Sequence, residues 1–142
     1  MEVLPLGERG FPDTREIGML QLAYLGDTLH DLYARSLLLR HPAPVGRLHR
    51  MATRMVSAEA QAAMLDRIAP LLTEAEADAV RRGRNAQAKH AAPKHAEAGD
   101  YQKATALEAL WGMLYAKGEM DRLNALMRAA FAEEETEWTG QG

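Results

Sequence analysis

Apolar residues recur along this chain at helical rather than strand spacing. Leu22, Leu25, Leu29 and Leu32 step by three and four, the repeat of one helix face. Prolines 5, 12, 42, 44, 70 and 93 punctuate the pattern. Between them the spacing predicts a first helix over about 14–40 and a short one over 45–54. Ser57 is placed to cap a third, running to about residue 69. Thr73 with Glu76 three residues on is a capping-box pattern, opening a helix that reaches about residue 88. Residues 89–100, rich in His, Pro, Gly and charge, read as a loop. Further helices are expected over about 101–117 and 120–135, with a frayed tail over 136–142. Ala and Leu dominate, aromatics are 6%, and β-branched residues are scarce, all of which favours helix. The expected fold class is all-α, a helical bundle.

The first helix carries a second stripe on its other side: Leu20, Tyr24, Asp27, Asp31, Ala34 and Leu38. A helix apolar on two sides is central to a core or packs at a subunit interface. Asp27 and Asp31 interrupt that row. Either a cation, donor or water stands beside them, or the row faces solvent and they are ordinary surface acids. The helix over 101–117 has a clear core stripe of Leu107, Leu110, Met113 and Leu114, with Trp111 beside it. Glu108 lies off its edge, with Gly112 one turn on leaving room for something to approach. Thr105-Ala-Leu-Glu108 also matches a capping box, so Glu108 has a second reading as a backbone cap.

The length of 142 residues suits one domain over 1–142, with a core over about 14–135, and needs no covalent staple to fold. Zero cysteines exclude a disulfide framework and thiol chemistry. The N-terminus lacks the basic and apolar regions of a signal peptide, and no segment approaches the roughly 18 apolar residues of a spanning helix, so a cytoplasmic protein without membrane attachment is expected. The net charge of −3 by itself speaks against a nucleic-acid partner. That sum hides segregation. Residues 36–56 hold Arg40, Arg47, Arg50 and Arg54 and no acid; residues 81–103 hold six cations against two acids; residues 119–142 hold six acids against two cations. Arg81, Arg82, Arg84 and Asn85, followed by Lys89 and Lys94, suit phosphate and ribose contacts, or form a solvated face.

Most motif-based chemistry is absent. His30-Asp31 is a metal-binding dipeptide in some phosphohydrolases, but those need an upstream histidine and His30 is the first in the chain. No two histidines are spaced for zinc, and no phosphate-binding glycine loop or nucleophile elbow occurs. Paired carboxylates on two helices remain. Magnesium is commonly held by one or two carboxylates with waters and substrate phosphates, and Asp27 and Glu108 suit that role.

These residues carry a resemblance. Leu22-Ala-Tyr-Leu-Gly-Asp27 resembles the signature helix of the ribonuclease III family, and Thr105-Ala-Leu-Glu108-Ala-Leu-Trp-Gly112 resembles its second motif. Val56-Ser57-Ala58 with Gln61, Arg82-Gly-Arg-Asn85-Ala, Pro93-Lys94 and Tyr101 ahead of Glu108 are similar to the compact bacterial branch, Mini-ribonuclease III. The resemblance spans about 20–131. It implies an all-α endonuclease domain acting as a homodimer, Mg²⁺-dependent cleavage of double-stranded RNA, and maturation of both ends of the 23S rRNA precursor. It further implies catalytic and metal-holding roles for Asp27 and Glu108, and RNA contacts from the Arg81–Lys94 group. Larger relatives carry a double-stranded-RNA-binding domain, for which this chain is expected to have no room, so a large-subunit ribosomal protein is a candidate to present the substrate. Where those relatives have further acids this chain has Leu20, Ala23 and Thr105, as does the compact branch. The alternative reading is a catalytically inactive dimeric RNA-binding assembly factor.

Overall fold

The computed structural model describes residues 10–90 and 97–140. Seven α-helices are present among them: α1 (Met19–Leu38), α2 (Val45–Met55), α3 (Ala58–Ile68), α4 (Glu74–Ala88), α5 (Ala98–Ala116), α6 (Met120–Ala130) and α7 (Ala132–Gly140). Short 3₁₀ turns cover Thr14–Glu16 and Ala69–Leu71, and the described residues contain no strand.

The local signals act as the sequence suggests in the middle of the chain. Ser57 Oγ accepts from Ala60 N at 3.1 Å and starts α3. Thr73 and Glu76 close a reciprocal capping box at the start of α4, at 3.2 and 2.9 Å. The Glu76 carboxylate then receives Arg122 of α6 through two contacts of 2.8 Å, so one acid caps α4 and anchors α6. At the end of α5, Glu119 N bonds Leu114 O and Gly118 N bonds Tyr115 O, both at 2.9 Å. This is a Schellman closure, and Gly118 supplies its positive φ of 74°.

Three boundaries differ from the sequence expectation. The first helix begins at Met19, because Ile17 is extended and Gly18 is the N-cap, with its N–H donating to Gln21 Oε1 at 2.9 Å. Helix α5 begins three residues early, at Ala98. The last predicted helix is two: the chain bends at Phe131 and continues as α7. The expected frayed tail is instead docked at residues 136–140. Trp138 is buried, and its indole N–H donates to Leu38 O at 3.0 Å. Arg67 of α3 reaches Glu133 and Glu134, at 2.8 and 3.1 Å.

Helix α5 is the axle. From Ala104 to Ala116 every residue is buried except Glu108, which is half-buried. Helices α1, α3, α4 and α6 pack around it. Two crossings are close because a glycine removes a side chain. A Cβ at Gly26 would overlap the Glu108 carbonyl, and one at Gly112 would overlap the Leu22 carbonyl. The space that Gly112 leaves is therefore taken by the α1 backbone. Gly83 does the same for α4, where a Cβ would meet Ala106 Cα at 3.0 Å.

Since both α1–α5 glycines face backbone, which cannot swing aside, Gly26→Ala or Gly112→Ala should destabilise the domain by about 3 kcal/mol or more. Urea unfolding measures this. A loss under about 1 kcal/mol would mean that the crossing is looser than described.

Candidate active site

Asp27 follows Gly26, so it leaves α1 beside the point where α1 lies on the Glu108 backbone. Across that seam the Asp27 carboxyl stands near enough to Glu108 to bear on its ionisation. The Glu108 carboxyl is pushed up to about 8, first by burial, then by the hydrogen bond and negative charge of Asp27; the Gln61 amide opposes the shift. At neutral pH and without a cation, Glu108 holds a proton. Two sequence alternatives are thereby resolved. Thr105 lies two turns inside α5, so Glu108 is not a backbone cap; the Thr105 hydroxyl donates to Gln87 Oε1 at 3.2 Å instead. Asp31 stands apart, half-exposed and paired with Arg35 at 3.2 Å, one turn on along α1.

A buried polar frame surrounds the acid pair. His30, fully buried, accepts from the Trp111 indole at Nδ1 (3.1 Å) and meets Met55 O through Nε2 (3.1 Å). This assigns the neutral imidazole with its proton on Nε2, and burial holds its pKa below the usual value. The next carbonyl, Val56 O, accepts from Gln61 Nε2 at 3.2 Å. The end of α2 is thus tied to α1 and α5 through His30, and to α3 through Gln61. Gln61 is 3% exposed, touches Glu108, and leaves its Oε1 with no hydrogen-bond partner. The sequence marked Gln61 as a branch feature without a role. Its place one turn after the Ser57 cap is the signal that puts it inside.

The basic residues separate by helix. Arg81, Arg84 and Asn85 of α4 line one shallow depression with Gln102 of α5. Arg81 and Arg82 both pair with Asp78, Arg82 at 3.1 Å, and stay largely exposed. Lys89 is exposed at the end of α4, and Lys94 lies outside the described residues. Gln87 is buried on the α5 side of α4. On α2, Arg47, His49, Arg50 and Arg54 form a second basic surface. No group of three or more His, Cys, Asp or Glu residues able to hold a metal occurs among the described residues, so the acid pair stands without a third acid.

An all-α domain with a glycine-seated acid pair between two core helices defines a ribonuclease III-like nuclease domain. The ribonuclease III domain model matches residues 20–119. A protein named Mini-ribonuclease 3 from Symbiobacterium thermophilum is 50% identical over 112 residues, covering 78% of this chain and 85% of the relative. Another of that name, from Thermoanaerobacter sp., is 42% identical over 109 residues, 76% of each chain. A crystal structure of a Fusobacterium nucleatum protein superposes with a TM-score of 0.78 at 25% identity, over 87% of this chain and 99% of that one. The chain belongs to the ribonuclease III family and, within it, to the Mini-ribonuclease 3 group. It is an endoribonuclease. Among the described residues, no helix is long and apolar enough to cross a membrane.

The raised Glu108 value fixes a pH dependence. Between about 4.5 and 8 the folded state keeps a proton that the unfolded chain releases, so stability falls as pH rises through that window. In the metal-free protein, Glu108→Gln should raise Tm at pH 8 by about 3 °C or more and flatten the Tm–pH curve between 6.5 and 8. Parallel curves for the two proteins would show that the carboxyls are not coupled.

Proposed function

We propose that this endoribonuclease hydrolyses double-stranded RNA with Mg²⁺, leaving 5′-phosphate and 3′-hydroxyl ends, and that Asp27 and Glu108 are its catalytic, metal-holding pair. The observation that carries this reading is the pair itself: two carboxyls flanking a helix crossing that rests on glycine, with Glu108 pushed up first by burial and then by Asp27. Such a pair is costly without a cation and well suited to one. The unpartnered Gln61 oxygen adds a neutral acceptor for a water on such an ion, so the residues present fit a small divalent ion. When bound, that ion polarises the scissile phosphate and lowers the pKa of water. The chain contributes the rest. Helices α1 and α5 hold both carboxylates in fixed register. Glu108 would hold the ion as a carboxylate, its proton released to water, and Asp27, exposed at the rim, lies on the proposed RNA side.

RNA is bound by A-form shape, through phosphates and 2′-hydroxyls. Arg81, Arg82, Arg84, Asn85, Lys89 and Lys94 are the proposed contacts. One catalytic domain spans 1–142, and the protein works in the cytoplasm on the 23S rRNA precursor, maturing its 5′ and 3′ ends, with a large-subunit ribosomal protein as the proposed presenter. Homodimerisation has a place on α1: Tyr24 is 84% exposed and Leu20 36%, both on the stripe that holds Asp27. The end of that stripe, Ala34 and Leu38, is buried in the domain. One helix then serves core and two-fold in turn, which accounts for its two apolar sides.

Cleavage of a long RNA duplex in Mg²⁺ tests the site. Asp27→Asn and Glu108→Gln should each lower kcat roughly 10²–10³-fold or more with duplex binding kept. Equal cleavage by wild type and both variants would refute the assignment, and binding without cleavage by wild type would favour the assembly-factor reading. Tyr24→Glu should yield monomers in sedimentation and lose double-strand cleavage; a dimeric, active variant would move the interface elsewhere. Wild-type duplex affinity should drop steeply with added salt, since phosphate contacts carry it.

A further inference from the structure

We propose that Gln61 completes the metal site from outside the ion's own shell: its carbonyl accepts a hydrogen from water held on the divalent ion, while its amide N–H is anchored on the Val56 carbonyl at the end of α2. The inference rests on the acid pair holding the metal, as proposed above.

The orientation of this amide is set by chemistry. Nε2 donates to Val56 O at 3.2 Å. Turning the amide over would place one carbonyl against another, so Oε1 is the atom left over. That atom is buried, and no hydrogen-bond donor reaches it. Buried carbonyl oxygens without a donor are rare because the lost hydration is not replaced. Packing alone does not call for this residue, since Met64 and Leu65 beside it on α3 fill the same core with apolar side chains. The amide nonetheless sits against Glu108. A small divalent ion held by two carboxylates keeps several waters, and their hydrogens need acceptors. Asp27 and Glu108 use oxygens on the ion itself. Gln61 Oε1 is a buried acceptor on a side chain that bears on Glu108. Ser57 fixes its position, capping α3 one turn before it, and Gln61 N bonds Ser57 O at 2.9 Å. A neutral oxygen here gives the site an acceptor without a third negative charge against a pair already in contact.

The test reads metal affinity rather than cleavage. Mg²⁺ is titrated calorimetrically into the full-length protein, and Tm is followed in chelator and in Mg²⁺. Gln61→Met keeps the volume and should weaken Mg²⁺ binding about tenfold or more. Its Tm in chelator is the stability baseline, since the unpaired oxygen and the donor to Val56 O are lost together. Gln61→Glu keeps an oxygen at the same place and should bind Mg²⁺ at least as tightly as wild type, with a larger Tm gain on adding the ion. Unchanged affinity in Gln61→Met overturns the proposal, as does equal weakening in both variants, which is what a purely structural glutamine predicts. If Gln61→Met does not fold, weakened binding by Gln61→Glu overturns it and retained binding upholds it. Asp27→Asn separates the two claims: binding unaffected by that change refutes the metal site itself, whereas binding lost in Asp27→Asn and kept in Gln61→Met refutes only the role of Gln61.

Discussion

The structure depends on how closely α1 approaches α5. At Gly26 and Gly112 each helix rests on the other's backbone, with no side chain between them. Side chains flanking such a contact have little freedom. Asp27 and Glu108 are those side chains, which is why two carboxyls meet here although Glu108 would ionise more readily alone. The crossing also explains why α5 is so completely enclosed: with α1 this close, α3, α4 and α6 can close over its remaining sides. Fold and site are thus one constraint. The same glycines give the core its density and give the carboxyls their separation.

That arrangement sets stability against chemistry. Burial and the Asp27 charge both favour the protonated form of Glu108, so the domain is steadiest below the pH at which Glu108 ionises. A buried hydrogen-bonded frame holds the α2–α3 corner beside this pair. Trp111, His30 and the Met55 carbonyl form one chain of hydrogen bonds, and Gln61 with the Val56 carbonyl begins a second. Two successive carbonyls at the end of α2 are held from two different helices. Phe131 packs its ring against His30 and Tyr33, at 4.8 and 4.9 Å between centroids, and shields the frame from solvent.

Local chemistry in the sequence was legible where the structure is local. Ser57, Thr73 with Glu76, and the helical spacing of the Leu stripes act within a turn or two of themselves, and α2, α3 and α4 fall where those signals put them. The misread features depend on partners far along the chain. Thr105 and Glu108 have the spacing of a capping box, but α5 already runs from Ala98, and the Thr105 hydroxyl turns to Gln87. Residues 136–140 read as a frayed end because nothing nearby holds them; the Leu38 carbonyl does, a hundred residues away. Gly112 announced an open space, but only the tertiary structure shows the Leu22 backbone filling it. For the candidate site, Asp27 and Glu108 could be singled out as acids on apolar helices, and the family resemblance gave them a pairing that periodicity alone left open.

The charge distribution follows from the same packing. The acidic C-terminal segment is not simply a solvated tail: Glu133 and Glu134 hold Arg67, and Glu135 holds Arg40 at 2.6 Å. Its negative charge is partly spent on docking α7 against α1 and α3. Arg47 stands over the Trp138 ring at 5.0 Å, so a cation of the α2 basic surface also helps seat α7. On α4, by contrast, Asp78 faces both Arg81 and Arg82, and Arg84, Asn85 and Lys89 stay exposed. The net charge of −3 is therefore compatible with a surface that attracts phosphate. Acids are concentrated where they brace helices or pair across the α1–α5 seam, and cations on α4 remain for a polyanion to meet. An average over the chain conceals that division, because a charge's partner, not its sign, determines what is left for a ligand.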